Sequence, residues 1–89
     1  SVAVGYAVTD GIIRQPRLVL GGVAPVPWHS TDAEAMLEGQ SPSPELASRA
    51  AEAALESTQP LQHNAFKVNI AQALITRAIM AVAALFQQE

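Results

Sequence analysis

The sequence contains no cysteine. No disulfide can staple the chain, and no thiolate is available for zinc or an iron–sulfur cluster. This says little about compartment, because secreted proteins can lack cysteine too. Basic residues are sparse and scattered singly, five Lys+Arg against eight Asp+Glu for a net charge of −3. The electrostatic footprint of a nucleic-acid binder is therefore missing. A membrane span is excluded as well: Lys67, Asn69, Gln72, Thr76 and Arg77 interrupt the C-terminal apolar stretch too early. Ser1 carries no initiator Met, signal peptide or transit pattern before it, so the chain reads as a piece of a longer polypeptide, cut at or inside a first strand.

Catalytic groups are equally scarce. His29 and His63 are the only histidines. Asp32 lies near His29 in sequence, but one His–Asp pair without a nucleophile makes no reaction centre. No Ser–His–Asp or Cys–His arrangement can be assembled, and the acidic residues read as solvated helix charges. Both histidines read as structural or surface residues.

What remains is a single domain of 89 residues, 49% apolar, with much of that share alanine. A chain this short buries only ~60–65% of the surface its unfolded form exposes, so its stability alone is expected to be marginal. Alanine suits close packing of helices.

Val2, Val4, Tyr6 and Val8 alternate with Ala3, Gly5, Ala7 and Thr9. That period of two predicts a strand with one large face and one small face, the small one open to close packing by a neighbour. Asp10-Gly11 tolerates the positive φ angles of a two-residue hairpin turn. Ile12 and Ile13 begin the return strand. Pro16 cannot donate a ladder hydrogen bond, which places it at an edge, at a bulge or between two short strands. Strand character resumes from Arg17 to Val23, with Leu18 and Leu20 on one face. Gly21-Gly22 permits a bend or a close backbone approach. Pro25 and Pro27 hold the segment up to Trp28 extended.

From there the pattern is helical. Thr31 and Glu34 fit a capping box, Ala33, Met36 and Leu37 supply an apolar side, and Gly39 suits a left-handed cap. Ser43 as N-cap and Pro44 as first residue open a second helix running to about Ser57. Leu46, Ala50, Ala53 and Ala54 form its buried stripe. Asn64 is the expected cap of a third helix, from Ala65 to about Phe86. Phe66, Ile70, Leu74, Ala78 and Val82 fall near one line on it, and Ile75, Ile79 and Phe86 widen that line into a broad packing face. The predicted fold class is α+β: a small antiparallel sheet, hairpin first, covered by three helices.

Functional readings of single residues are modest. Gly21-Gly22 is followed by prolines that remove the amides a phosphate would need, so a packing or bend role fits better than a phosphate cradle. The helix starts at Thr31 and Asn64 could face an anion, though most capped helix ends bind none. Trp28 is expected to plug the gap between layers. Lys67, a cation in the first turn of the last helix, opposes the helix dipole and hints at an interface.

The stretch RLVLGGVAPVPWHSTDAEAMLEGQ, followed by QPLQHNAFKVNIAQALITRAI, resembles the C-terminal domain of the FAD-binding subunit of molybdenum hydroxylases. This is the domain found in carbon monoxide dehydrogenase, xanthine dehydrogenase and aldehyde oxidoreductase flavoproteins. The resemblance rests on Gly21 to Pro25, on the Ala33 to Ala35 helix and on the final long helix, in the family's order. Pro60-Leu61 and the run His63-Asn64-Ala65-Phe66-Lys67 give it a bacterial aldehyde oxidoreductase flavour. The resemblance implies a sheet of three to four strands under three helices. It implies FAD in the parent subunit, with the molybdenum cofactor and iron–sulfur clusters in partner subunits. It assigns no catalytic, flavin-binding or metal-binding residue to this chain. Gly21, Gly22, Pro25, Trp28, His63, Asn64, Phe66 and Lys67 become structural or interface positions. His29 stands where relatives often carry arginine, so an ion pair there would be weaker or pH-dependent. The alternative is a free-standing protein-interaction module with no redox link.

Overall fold

The computed structural model describes residues 2–21, 28–56 and 65–86; for Trp28 and residues 65–69 the description stops at the backbone. Strands β1 (Val2–Thr9), β2 (Ile12–Leu20) and β3 (Trp28–His29) are followed by helices α1 (Thr31–Leu37), α2 (Pro44–Glu56) and α3 (Ala65–Leu85). The sheet is antiparallel in the order β1-β2-β3, with β3 a two-residue edge opposite Val19 and Leu20. The α+β class and the hairpin-then-helices order are as expected from the sequence.

The hairpin turn is made by Asp10 at φ 55° and Gly11 at φ 77°, the geometry anticipated for this dipeptide. Pro16 sits inside one continuous strand, at a bulge. Gly5 opposes Arg17 and Ala7 opposes Arg14, so Tyr6 alone faces the two residues Gln15 and Pro16. Gln15 takes up the extra residue with φ 57°. The bulge has a packing cause. Ile13 points into the core, and strict alternation would then turn Gln15 and Arg17 inward and Leu18 outward. One inserted residue shifts the phase, so that Pro16, Leu18 and Leu20 are buried instead.

The inward sheet face carries Val2, Val4, Tyr6, Ile13, Leu18 and Leu20 against one cluster that includes Ala33 and Leu37 of α1, Leu46, Ala47, Ala50, Ala51, Ala54 and Leu55 of α2, and Ile75 and Ile79 of α3. Helix α1 lies on β2, α3 lies on β1, and α2 packs between the two helices. Ala47, Ala50, Ala51 and Ala54 are fully buried, which lets the α2 backbone approach its neighbours closely. Gln72 Nε2 ties α3 to α2 through Ser48 Oγ and the Ser48 carbonyl, at 3.2 and 3.3 Å. The Tyr6 hydroxyl ties β1 to α3 by donating to the Ile79 carbonyl at 2.6 Å.

Four expectations are corrected. The N-cap of α1 is Ser30, whose extended backbone and buried hydroxyl accept the Ala33 N–H, while Thr31 is already helical. The small face of β1 is open: Ala3, Gly5, Ala7 and Thr9 are exposed, and a Cβ at Gly5 would meet nothing within 4 Å. Met36 on α1 faces outward. The buried side of α3 runs through Ile75, Ile79 and Ala83, leaving Ile70 46% and Leu74 51% exposed. Gly39, at φ 80°, is the left-handed residue after α1, and Ser43 Oγ accepts the Leu46 N–H at the start of α2, both as read from the sequence. Among the described residues, no helix is long and apolar enough to cross a membrane.

Candidate functional site

Two surfaces carry the polar and apolar features that sequence reasoning singled out or missed. The first is the outer edge of β2. A strand edge presents N–H and C=O groups that need partners. Here α1 and its flanking residues supply them. Ser30 N–H donates to the Leu18 carbonyl, Gly39 N–H to the Ile13 carbonyl, and Ile13 N–H to the Gln40 carbonyl, each at 2.9 Å. Glu34 of α1 and Glu38, the residue that caps its C-terminus, complete the edge. Glu34 Oε2 accepts the Leu18 N–H at 2.8 Å, and Glu38 Oε1 accepts the Gln15 N–H at 2.9 Å. Glu38 Oε2 also meets Arg14 Nη1 at 3.5 Å, an exposed pair. The helix therefore stands in for a strand along β2, and the bulge is closed by carboxylates.

His29 joins this cluster. Its Nε2 lies 2.5 Å from Glu34 Oε2. The partner is Glu34, not the Asp32 suggested by sequence proximity, because β3 delivers His29 to the same carboxylate that caps Leu18. An acidic partner for this position was implied by resemblance alone. Glu34 and Glu38 were missed as a pair. Their i, i+4 spacing on one helix face, with no basic residue in α1 to match them, was the available signal.

The second surface is a groove of about 560 Å³ along α3, with Val2, Leu20, Gly21, Leu55, Leu74 and Arg77 among its lining residues. Of the sequence-predicted site residues, Gly21 is here. Trp28 is in β3, Phe66 and Lys67 are in the first turn of α3, each described by backbone alone. Gly22, Pro25, His63 and Asn64 lie outside the described residues.

Neither surface fits a flavin pyrophosphate. Such a group needs free first-turn amides and positive charge. Serine hydroxyls cap both α1 and α2, and Asp32, Glu34 and Glu45 occupy their first turns. Beside the β2 edge Arg17 lies with Glu34 and Glu38, whose carboxylates already hold the Leu18 and Gln15 N–H groups, and the α3 groove is apolar apart from Arg77. No group of three His, Asp or Glu side chains that could hold a metal ion occurs among the described residues.

With this geometry in hand, comparisons with known proteins are specific. The model of the CO dehydrogenase flavoprotein C-terminal domain matches residues 1–82. Carbon monoxide dehydrogenase from Hydrogenophaga pseudoflava, in a form lacking the Mo-pyranopterin moiety of its cofactor, superposes with a TM-score of 0.80 at 31% identity over 93% of this chain. Quinoline 2-oxidoreductase from Pseudomonas putida 86 superposes with a TM-score of 0.82 at 25% identity, also over 93%. The chain spans about 30% of the length of each of these solved chains. No curated protein matches it.

Proposed function

The chain belongs to the family of CO dehydrogenase flavoprotein C-terminal domains, and from that premise we propose that residues 1–89 form one domain of a longer FAD-binding subunit in a molybdenum-dependent dehydrogenase of the aldehyde or xanthine type. The subunit passes electrons from iron–sulfur clusters in one partner through FAD to an acceptor, while substrate is oxidised at a molybdenum cofactor in another. This domain contributes packing, and the flavin is gripped by other parts of the subunit. Gly21, Gly22, Pro25, Trp28, His63, Asn64, Phe66 and Lys67 serve as structural or interface positions in that scheme.

The observation that carries the placement in a flavoprotein subunit of a molybdenum enzyme is the family match across residues 1–82, together with the likeness to two molybdenum hydroxylases over 93% of the chain, while the aldehyde or xanthine type rests on the resemblance at Pro60-Leu61 and His63 to Lys67. A scaffold role is supported by these surfaces, since Glu34 and Glu38 are engaged with backbone N–H groups of β2 and the α3 groove is apolar apart from Arg77. The test is isolation of the tagged full-length subunit with its natural partners, followed by metal analysis and turnover assays. Co-purifying molybdenum and iron, with dehydrogenation of aldehydes or purines, is the expected result. A preparation free of both metals overturns the reading, and turnover confined to another substrate class overturns the aldehyde or xanthine assignment.

A further inference from the structure

The two flanks of the domain are finished differently. On the β2 flank, α1 and its glutamates satisfy the strand edge. On the β1 flank, no strand pairs with the outer edge of β1 among the described residues, and β1 is eight residues without charge or proline. Helix α3 lies on β1, and from residue 70 to its end its polar side chains are Gln72, Thr76 and Arg77, the rest being apolar. Its inner face holds Ile75 and Ile79, yet its outer face carries Ile70, Leu74, Ala81 and Leu85, exposed, with Leu85 at 69%. A helix that is apolar on both sides is ordinarily buried on both. By contrast, α2 turns Glu45, Arg49, Glu52 and Glu56 to solvent. The outer stripe of α3 runs ~23 Å from Ile70 to Leu85, at 1.5 Å per residue. It opens into the groove that reaches Val2 at the head of β1.

We infer that the outer face of α3, with its groove, is the docking surface for the flavin-carrying remainder of the same subunit, which meets it with apolar side chains and one carboxylate opposite Arg77. This rests on the reading of the chain as one domain of a longer flavoprotein. Solved relatives supply the scale: about 30% of their chain corresponds to this domain, so most of the subunit is available to cover the face. Charge selects against a second copy. Arg77 sits at the middle of the stripe, and a two-fold antiparallel pairing of α3 with itself would set Arg77 against Arg77. Like charges in an apolar contact are unfavourable. An acidic residue from a different segment resolves the same site.

The test uses the full-length subunit. Residues 1–89 contain no cysteine, so single thiols can be placed and their labelling mapped by peptide mass. Leu74→Cys and Ala81→Cys report on the stripe; Glu45→Cys and Glu52→Cys report on the solvent face of α2. Under native conditions the stripe thiols are expected to react with a maleimide at least about 10-fold more slowly than the α2 thiols, since a covered site reacts only through local opening. Adding Arg77→Glu is expected to recover several-fold of the lost rate at Leu74→Cys, through repulsion of the facing acid, whereas Arg77→Met recovers less. Equal rates at stripe and control thiols overturn the inference. Protection that vanishes on dilution, with the mass of two subunits at high concentration, overturns it in favour of self-association. Protection only in the assembled multi-subunit complex overturns it in favour of a neighbouring subunit. Flavin absorbance of the same samples is read separately: flavin-loaded protein with freely reacting stripe thiols refutes the docking surface and leaves the functional reading intact. Flavin-free protein with protected thiols does the reverse.

Discussion

Removing the Glu34 carboxylate tests the idea that α1 finishes the edge of β2. Glu34 is mostly buried, its side chain 12% exposed, and one oxygen takes both the Leu18 N–H and His29 Nε2. In Glu34→Ala the Leu18 N–H loses its acceptor in a partly buried place. A hydrogen bond to a charged group contributes about 1.5–3 kcal/mol, and an orphaned buried donor costs about 1–3 kcal/mol, two views of the same loss. The histidine pair adds at most about 1 kcal/mol because His29 is substantially exposed. The expected loss is therefore about 2–3 kcal/mol. At roughly 4–8 °C per kcal/mol for a domain of this size, the melting temperature falls by ~10–20 °C. Glu34→Gln keeps an acceptor oxygen and is expected to lose only about 1 kcal/mol, and His29→Ala at most as much. Denaturant titration followed by circular dichroism gives the energies, and hydrogen exchange at the Leu18 amide gives the local effect. A loss below about 0.5 kcal/mol in Glu34→Ala, or an equal loss in Glu34→Gln, refutes the edge-capping role.

Other consequences are as direct. Burial pushes the Tyr6 hydroxyl above its ordinary 10.0, and a backbone hydrogen bond at Ala83 offsets part of the shift. A raised folded-state value means that the stabilisation is fully present below about pH 10 and is lost as pH rises through the folded value. Tyr6→Phe is expected to lose about 0.5–1.5 kcal/mol at neutral pH and to flatten that alkaline decline, as read by denaturant midpoints from pH 8 to 11. Ala50→Leu overpacks the fully buried α2 face and is expected to cost about 1–3 kcal/mol, whereas Ile75→Ala opens a cavity and costs about 2–5 kcal/mol; thermal unfolding reads both. Gln15→Gly removes the left-handed strain at the bulge and is expected to stabilise by roughly 0.5–1 kcal/mol in the same assay.

The local chemistry of the chain was legible where one residue type answers one backbone demand. Asp10-Gly11, Gly39 and Ser43-Pro44 each did so, and the order of elements followed. Pro16 signalled an irregularity, but choosing the bulge required knowing that Ile13 and Leu18 both face inward, a three-dimensional constraint. Thr31 and Ser30 both satisfy the composition of a cap, and only the backbone angle at Ser30 separates them. The orientation of α3 was not readable because a helix apolar on both sides carries no strong period. The same ambiguity hid its outer stripe. Glu34 and Glu38 looked like solvated charges, since their partners are backbone amides far away in sequence.

The most direct measurement is a flavin titration of two proteins side by side: the full-length subunit and residues 1–89. Stoichiometric FAD binding by the full subunit, with weak or absent binding by residues 1–89, is the predicted result. Tight stoichiometric FAD binding by residues 1–89 alone would contradict it.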